Sequence, residues 1–275
     1  MPLDIKKEAE DLIQLYQHDE TQDKFNLLLT GEHGTGKTFL LRTARKPVHI
    51  DSFDPGGTKC LRDYIAAGDI IADTRYERED PTDPTVYKLW YPKFKERIEA
   101  GYFDQMGTYC LDSSTSWSMA ILAAFMKKSG VDMSTVPDYK KHYHFQKFDL
   151  RTYIRKMLSL PCDVILTGHL QQYEDKMQGK LKYRYLTTGD GSIIIPTLFD
   201  EFYVATTVET SEGVSYKILT ERTGPYEARS RLKKGGVLDT YEEPNIKNIL
   251  RKAKMDTSDK PRLFTKEELQ TIRGG

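Results

Sequence analysis

The sequence predicts an α/β fold, a mostly parallel central sheet flanked by helices, and three observations predict it. Residues 25–38 read FNLLLTGEHGTGKT, an apolar strand running into a glycine-rich loop and then a helix. Further short apolar runs, PVHID at 47–51, TYCLD at 108–112 and CDVILT at 162–167, alternate with helix-length segments. That alternation is what parallel strands with right-handed crossover helices produce. The candidate chemistry falls at the ends of these runs, where such sheets bind ligands.

Taken in order, Ile5, Ala9, Leu12, Ile13 and Tyr16 recur at helical spacing, so residues 4–17 are an amphipathic helix. Its apolar face is expected to cover the core or a neighbouring subunit. Residues 25–30 form the first core strand and 39–45 a helix. A second strand spans 47–51, followed by the turn-rich DPGG at 54–57, a short helix over 58–67 and a strand over 69–74. A Pro/Asp loop at 80–84 leads into a helix over 85–100. The core strand 108–112 is followed by a helix over 115–128. Residues 129–147 are polar, aromatic and irregular; 148–160 is a helix and 162–167 a buried strand. Residues 170–192 read as a long flexible loop, and 201–207 and 214–221 as the strands of a hairpin. A helix at 265–272 opens on the capping box Thr265-x-x-Glu268. The organisation expected is an N-terminal helix over 1–24, one α/β domain over 25–237 and a charged C-terminal tail over 238–275.

Lysine plus arginine equals aspartate plus glutamate at 41 each, so net charge announces no nucleic-acid partner and any basic surface must be local. Cys60, Cys110 and Cys162 have no metal-type spacing, and so sparse a set suits a reducing, cytoplasmic setting. Cys110 and Cys162 lie in apolar runs and are expected to be buried. The N-terminus lacks a signal-peptide core and no apolar run approaches the length of a membrane span.

The loop Gly31-Glu32-His33-Gly34-Thr35-Gly36-Lys37-Thr38 is a full G-x-x-x-x-G-K-[ST] match. Its glycines let backbone N–H groups turn inward around a polyphosphate. Lys37 supplies a positive charge at the β/γ-phosphates, and Thr38 offers its hydroxyl to Mg²⁺. The helix from Phe39 would point its N-terminus at the phosphates. ATP and Mg²⁺ are therefore the expected ligands of residues 31–39. Asp112 ends an apolar strand and can hold the metal beside Thr38. Asp51 and Asp54 follow the next strand, and either could polarise an attacking water; the DPGG turn gives Asp54 a turn-forming alternative. His169, after Gly168, could touch the γ-phosphate and pass its presence to the loop beyond. That loop carries Lys176, Lys180, Lys182, Tyr183 and Arg184. Residues 138–147 hold a second set of cations and rings, from Tyr139 to Phe145. Cations interleaved with rings suit single-stranded nucleic acid. Arg222, Arg229 and Arg231 follow the last strand, and one could reach a neighbouring subunit's nucleotide; Arg222, at the strand's end, is the favoured one.

The order LLLTGEHGTGKT, HIDSFDPGG, YCLDSSTSW, DVILTGH, LFDEFYV and YKILTERTGPYEARSRL resembles the phage-type RecA-like P-loop ATPases, the Sak4-like single-strand annealing group, also described as a phage AAA-type ATP-binding domain. The resemblance covers roughly residues 25–235. It implies a RecA-like ATPase core with residues 31–38 as Walker A and Asp112 as the Walker B acid. It further implies Asp54 near the catalytic carboxylate, His169 at the γ-phosphate sensor and 170–190 as the DNA-contacting loop. The family's catalytic glutamate falls in direct register on Phe53, with Asp54 one residue on. The expected activity is Mg²⁺-dependent, DNA-stimulated ATP hydrolysis in phage recombination or replication. It would take place in the host cytoplasm, in a homo-oligomeric ring or filament, with a replication or recombination protein as a further partner. Two alternatives remain: a helicase loader or other protein-remodelling ATPase, and a P-loop small-molecule kinase.

Overall fold

Apolar runs become central strands here because both of their faces are covered. In β1 (Asn26–Gly31) all six residues are buried. Its Leu28 packs into one hydrophobic layer with Trp90, Trp117 and Phe94, while Leu27 and Leu29 pack into a second with Leu40, Ile50 and Ile249. Strand alternation sends neighbouring side chains to opposite layers.

The computed structural model describes residues 3–19, 23–176, 179–211, 213–232 and 236–274. The order is α1 (Ile5–Gln17), β1, α2 (Lys37–Leu40), β2 (Val48–Ser52), α3 (Arg62–Ala66), β3 (Ile70–Asp73), α4 (Val86–Glu99), β4 (Thr108–Asp112) and α5 (Ser114–Lys128). There follow α6 (His144–Leu158), β5 (Asp163–Gly168), β6 (Leu170–Asp175), β7 (Lys180–Tyr185), α7 (Gly191–Thr197), β8 (Glu201–Thr210) and β9 (Gly213–Leu219). The last elements are β10 (Arg229–Ser230), β11 (Tyr241–Glu242), α8 (Ile246–Lys252) and α9 (Lys266–Gly274). The main sheet runs β11-β9-β8-β1-β5-β4-β2-β3, with β10 on β8. From β8 to β3 every pairing is parallel; β9, β10 and β11 join antiparallel. Gly31, Ser52, Asp112 and Gly168 therefore end side by side at one edge of the sheet.

Several expectations are corrected. The helix after the loop is shorter than 39–45: α2 ends at Leu40 and passes into a 3-10 turn at Leu41–Thr43. Residues 129–147 are not irregular throughout, since a π-helical turn at Tyr139–Tyr143 leads into α6. The long loop at 170–192 is instead the antiparallel pair β6–β7 and the start of α7. The face of α1 covers no core: none of its residues is buried, and Ile5, Leu12, Ile13, Leu15 and Tyr16 are all more than half exposed. The charged stretch after 238 carries Leu238, Ile246, Ile249 and Leu250 into the second hydrophobic layer and adds β11 to the sheet. The capping box forms as expected, with Thr265 N donating to Glu268 and Glu268 N donating to Thr265 Oγ1. Cys110 and Cys162 are buried, and Cys60 is an exposed thiol.

Candidate active site

Strand parity decides which side chains meet the loop after β1. The layer containing Leu27 and Leu29 also contains Leu40 and Leu41 of the helical turns that follow the loop. Cys110 of β4 and Ile165 of β5 point into that same layer. Two residues further on, Asp112 and Thr167 share their faces and so arrive beside the loop. Thr38 Oγ1 donates to Asp112 Oδ2 at 2.7 Å, and Thr167 Oγ1 donates to Asp112 Oδ1. Burial pushes the Asp112 carboxyl above its usual pKa, and the two hydroxyl hydrogen bonds only partly offset this.

The loop itself is turned inward. Gly34 and Gly36 have φ of 76° and 82°, a left-handed conformation that costs a glycine nothing. Lys37 Nζ lies within the curve, donating to Gly31 O at 2.9 Å and Glu32 O at 2.8 Å. Burial lowers its pKa, against the opposing pull of Asp112, Asp54 and Glu32. Glu32, His33 and Gly34 are exposed along the rim.

Asp51 and Asp54, equivalent on spacing, are separated by parity. Asp51 shares the face of His49 and lies wholly buried under α4. It accepts from Trp90 Nε1 at 2.8 Å, Tyr109 Oη at 2.9 Å and Arg97 at 2.8 Å, and it meets His49 Nε2 at 3.0 Å. Burial would raise its pKa, but His49, Arg97 and Trp90 together hold it below the usual value. Phe53 also turns inward, stacking on Tyr76 at 5.3 Å. Asp54 faces the loop. Its Oδ1 accepts from Ser113 at 2.9 Å and Ser116 at 2.5 Å, and its Oδ2 lies 3.5 Å from His169 Nε2. Burial again opposes ionisation, but hydrogen bonds from His169, Ser116 and Ser113 keep the carboxyl below its usual pKa. Glu77 secures this turn, accepting from Ser52 Oγ at 2.8 Å and Gly56 N at 2.9 Å. The His169 ring lies against His33 of the loop, with centroids 4.7 Å apart and planes tilted by 36°.

A cavity of about 410 Å³ adjoins the loop, lined by Gly34, Gly36, Phe39, Arg42, Tyr216 and Pro244. The Arg42 guanidinium lies 4.3 Å over the Phe39 ring, and its Nε is buried without a partner. Tyr216 and Pro244 were not singled out by sequence. Only register brings them here: Ile218 pairs with Ala205, which pairs with Gly31.

The expected nucleic-acid residues are divided. Lys176 and Lys180 are exposed, Lys182 is buried against Asp175 at 2.5 Å, and Arg184 covers the Tyr173 ring at 4.8 Å. Tyr183 lies on the other face of β7 and stacks on Tyr226 at 5.0 Å. Of the arginines, Arg229 donates to Pro196 O and Phe199 O, and Arg231 pairs with Asp200 at 2.7 Å. Arg222 is exposed and has no hydrogen bond or ion pair among the described residues. It lies three residues beyond the end of β9 and beside Phe202 and Ala228.

The chain belongs to the AAA domain family, which matches residues 23–232. Among solved structures, a KaiC-like protein of Pyrococcus horikoshii OT3 is similar at 16% identity, over 75% of this chain and 81% of its own, with a TM-score of 0.41. The flagellar accessory protein FlaH of Methanocaldococcus jannaschii is similar at 13% identity, over 71% and 76%, with a TM-score of 0.39. No curated protein matches the chain by sequence. The fold is a P-loop α/β fold, its mostly parallel central sheet flanked by helices. Among the described residues, no helix is long and apolar enough to cross a membrane.

Proposed function

We propose that the protein is a Mg²⁺-dependent ATPase acting on single-stranded DNA, as the phage Sak4-like recombination and replication proteins it resembles would. The observation that carries this reading is the convergence of Thr38, Asp112, Asp54 and His169 on the mouth of the P-loop, with the β6–β7 hairpin rising directly from His169. Residues 31–38 would hold the triphosphate, Lys37 exchanging its two loop carbonyls for phosphate oxygens. The base would lie beside Phe39, Arg42 and Tyr216. Thr38 and Asp112 would hold Mg²⁺. Their oxygens already converge at 2.7 Å, and a cation would offset the burial that raises the Asp112 carboxyl. A metal held there would supply positive charge against the phosphates. Asp54, kept ionised by His169, Ser113 and Ser116, orients the attacking water. His169 reports the γ-phosphate to the hairpin. An arginine of the next subunit in a ring or filament completes the site. ATP turnover measured with and without single-stranded DNA tests the reading; turnover indifferent to DNA in a protein that binds none would sink its second half.

A second reading, a helicase loader or other protein-remodelling ATPase, has the exposed apolar side of α1 in its favour. Nucleotide-dependent capture of a helicase without DNA would favour it.

A further inference from the structure

The β6–β7 hairpin has two chemically distinct faces. Strand β7 reads KLKYRY, and alternation puts Tyr183 and Tyr185 on one face and Lys180, Lys182 and Arg184 on the other. The first face is the attachment to the domain. Tyr185 is fully buried, with its hydroxyl 2.7 Å from Ser114 Oγ; Tyr183 stacks on Tyr226, and Tyr183 N donates to Pro225 O at 2.8 Å. The second face repeats a cation at every second residue, about 6.7 Å apart along the strand. That repeat is similar to the separation of phosphates in an extended single strand. Tyr173 of β6 stands directly opposite Lys182 in register, so its ring sits among the cations.

Carboxylates occupy this face. Asp175 Oδ2 accepts from Lys182 Nζ at 2.5 Å, and Glu227 Oε1 accepts from the Tyr173 hydroxyl at 3.2 Å. Glu227 comes from the same segment, after β9, that holds Tyr183. The Arg184 guanidinium covers the Tyr173 ring while its Nε is buried without a partner, a donor left unused in this arrangement.

We propose that the Tyr173 face of the hairpin is where a single DNA strand lies, with Tyr173 as the base-stacking platform, and that the Asp175 and Glu227 carboxylates hold this face closed by standing where backbone phosphates would. The proposal rests on the single-strand reading given above. A strand must displace both carboxylates and lift Arg184 from the ring. Each negative charge therefore raises the threshold for binding, and duplex DNA, whose bases are already stacked, gains nothing from Tyr173.

The test is fluorescence anisotropy of a labelled oligo-dT with the full-length protein, ATP and Mg²⁺, each variant being checked for an unchanged melting temperature. Tyr173→Ala is expected to weaken binding about fivefold or more, the range of one lost base–aromatic stack. Tyr173→Phe keeps the ring, frees it from Glu227 and is expected to bind at least as well as wild type. Glu227→Gln and Asp175→Asn are each expected to tighten binding roughly two- to fivefold, the size of one exposed charge interaction. Wild-type binding unmoved by Tyr173→Ala, or weakened by Glu227→Gln and Asp175→Asn, overturns the closed face and leaves the single-strand reading standing. No binding by wild type or any variant overturns the single-strand reading itself.

Discussion

Asn substitutions at Asp51 and Asp54 should produce opposite phenotypes, although the two carboxylates lie three residues apart on the same strand exit. Asp51 is wholly buried and takes donors from Trp90, Tyr109 and Arg97. An amide there offers one acceptor and turns an NH₂ towards the remaining donors. Breaking a buried, hydrogen-bonded pair costs about 3–5 kcal/mol. Arg97 keeps Asp73 as a partner at 2.5 Å, so the lower end, about 3 kcal/mol, applies to Asp51→Asn. In a chain of this size that lowers Tm by roughly 6 °C or more. The Asp51 carboxyl is held below its unfolded pKa. Its contribution is therefore full above pH about 4 and is lost as pH falls through the folded value, so the gap between wild type and Asp51→Asn should close in acid. Asp54 is different: its side chain is 29% exposed and an amide still accepts from Ser113 and Ser116. Asp54→Asn should move stability by less than about 1 kcal/mol. It should lower kcat by about 10²-fold or more, with KM for ATP little changed, because a water-orienting group and not a phosphate contact is removed. Steady-state ATPase kinetics and thermal melting in the same buffer measure both effects. A slow, normally stable Asp51→Asn beside a fast Asp54→Asn would refute the assignment.

Lys37→Ala should abolish tight ATP binding or turnover while the protein stays folded, since among the described residues the hydrogen bonds of Lys37 Nζ go to two carbonyls of its own loop; isothermal titration with ATP checks this. Asp112→Asn should raise the Mg²⁺ concentration for half-maximal activity about tenfold or more while leaving nucleotide binding largely intact. Because burial raises the Asp112 carboxyl, protons should compete with Mg²⁺ as pH falls, and a Mg²⁺ titration of Asp112→Asn across pH should lose that competition. Replacing Lys180, Lys182 and Arg184 with alanine should weaken single-strand binding and flatten its log–log salt slope by about 2, at ~0.7 per phosphate contact. An unchanged affinity and slope would move the reading towards a protein partner.

The sequence was legible wherever local chemistry decides. The P-loop is a local motif, and the apolar runs of β1, β4 and β5 are long enough to announce strands buried on both sides. The hairpin was not legible, because LQQYED and KLKYRY put polar side chains on both faces and only Leu170, Tyr183 and Tyr185 mark the side that packs. The α8 segment was hidden by its charge, with Ile246, Ile249 and Leu250 too few to stand out from the lysines around them. Periodicity gave α1 correctly as a helix but could not say what its apolar side meets. Tyr216 and Pro244 reach the loop only through pairings between distant strands, which no local pattern records. Asp51 and Asp54 fall between these cases: alternation separates them in principle, but the partners that bury Asp51, namely Trp90, Arg97 and Tyr109, are non-local.

One arginine remains to be accounted for. Arg229 and Arg231 are committed within their own chain, to Pro196 and Phe199 carbonyls and to Asp200. Arg222 is exposed and, among the described residues, unpaired. Strand β9 passes the level of Gly31 at Ile218 and ends at Leu219, three residues before Arg222. An exposed, unpaired guanidinium is free to meet something brought to it. In a head-to-tail assembly a neighbour's triphosphate would be such a partner, and an arginine there would stabilise transition-state charge. Mixing Arg222→Ala protein with Lys37→Ala protein, each inactive alone, is then expected to restore partial ATPase activity, because some interfaces pair an intact P-loop with an intact arginine. The two single variants should still co-assemble with wild type by light scattering. No recovery in mixtures shown to co-assemble would mean that Arg222 completes no neighbouring site.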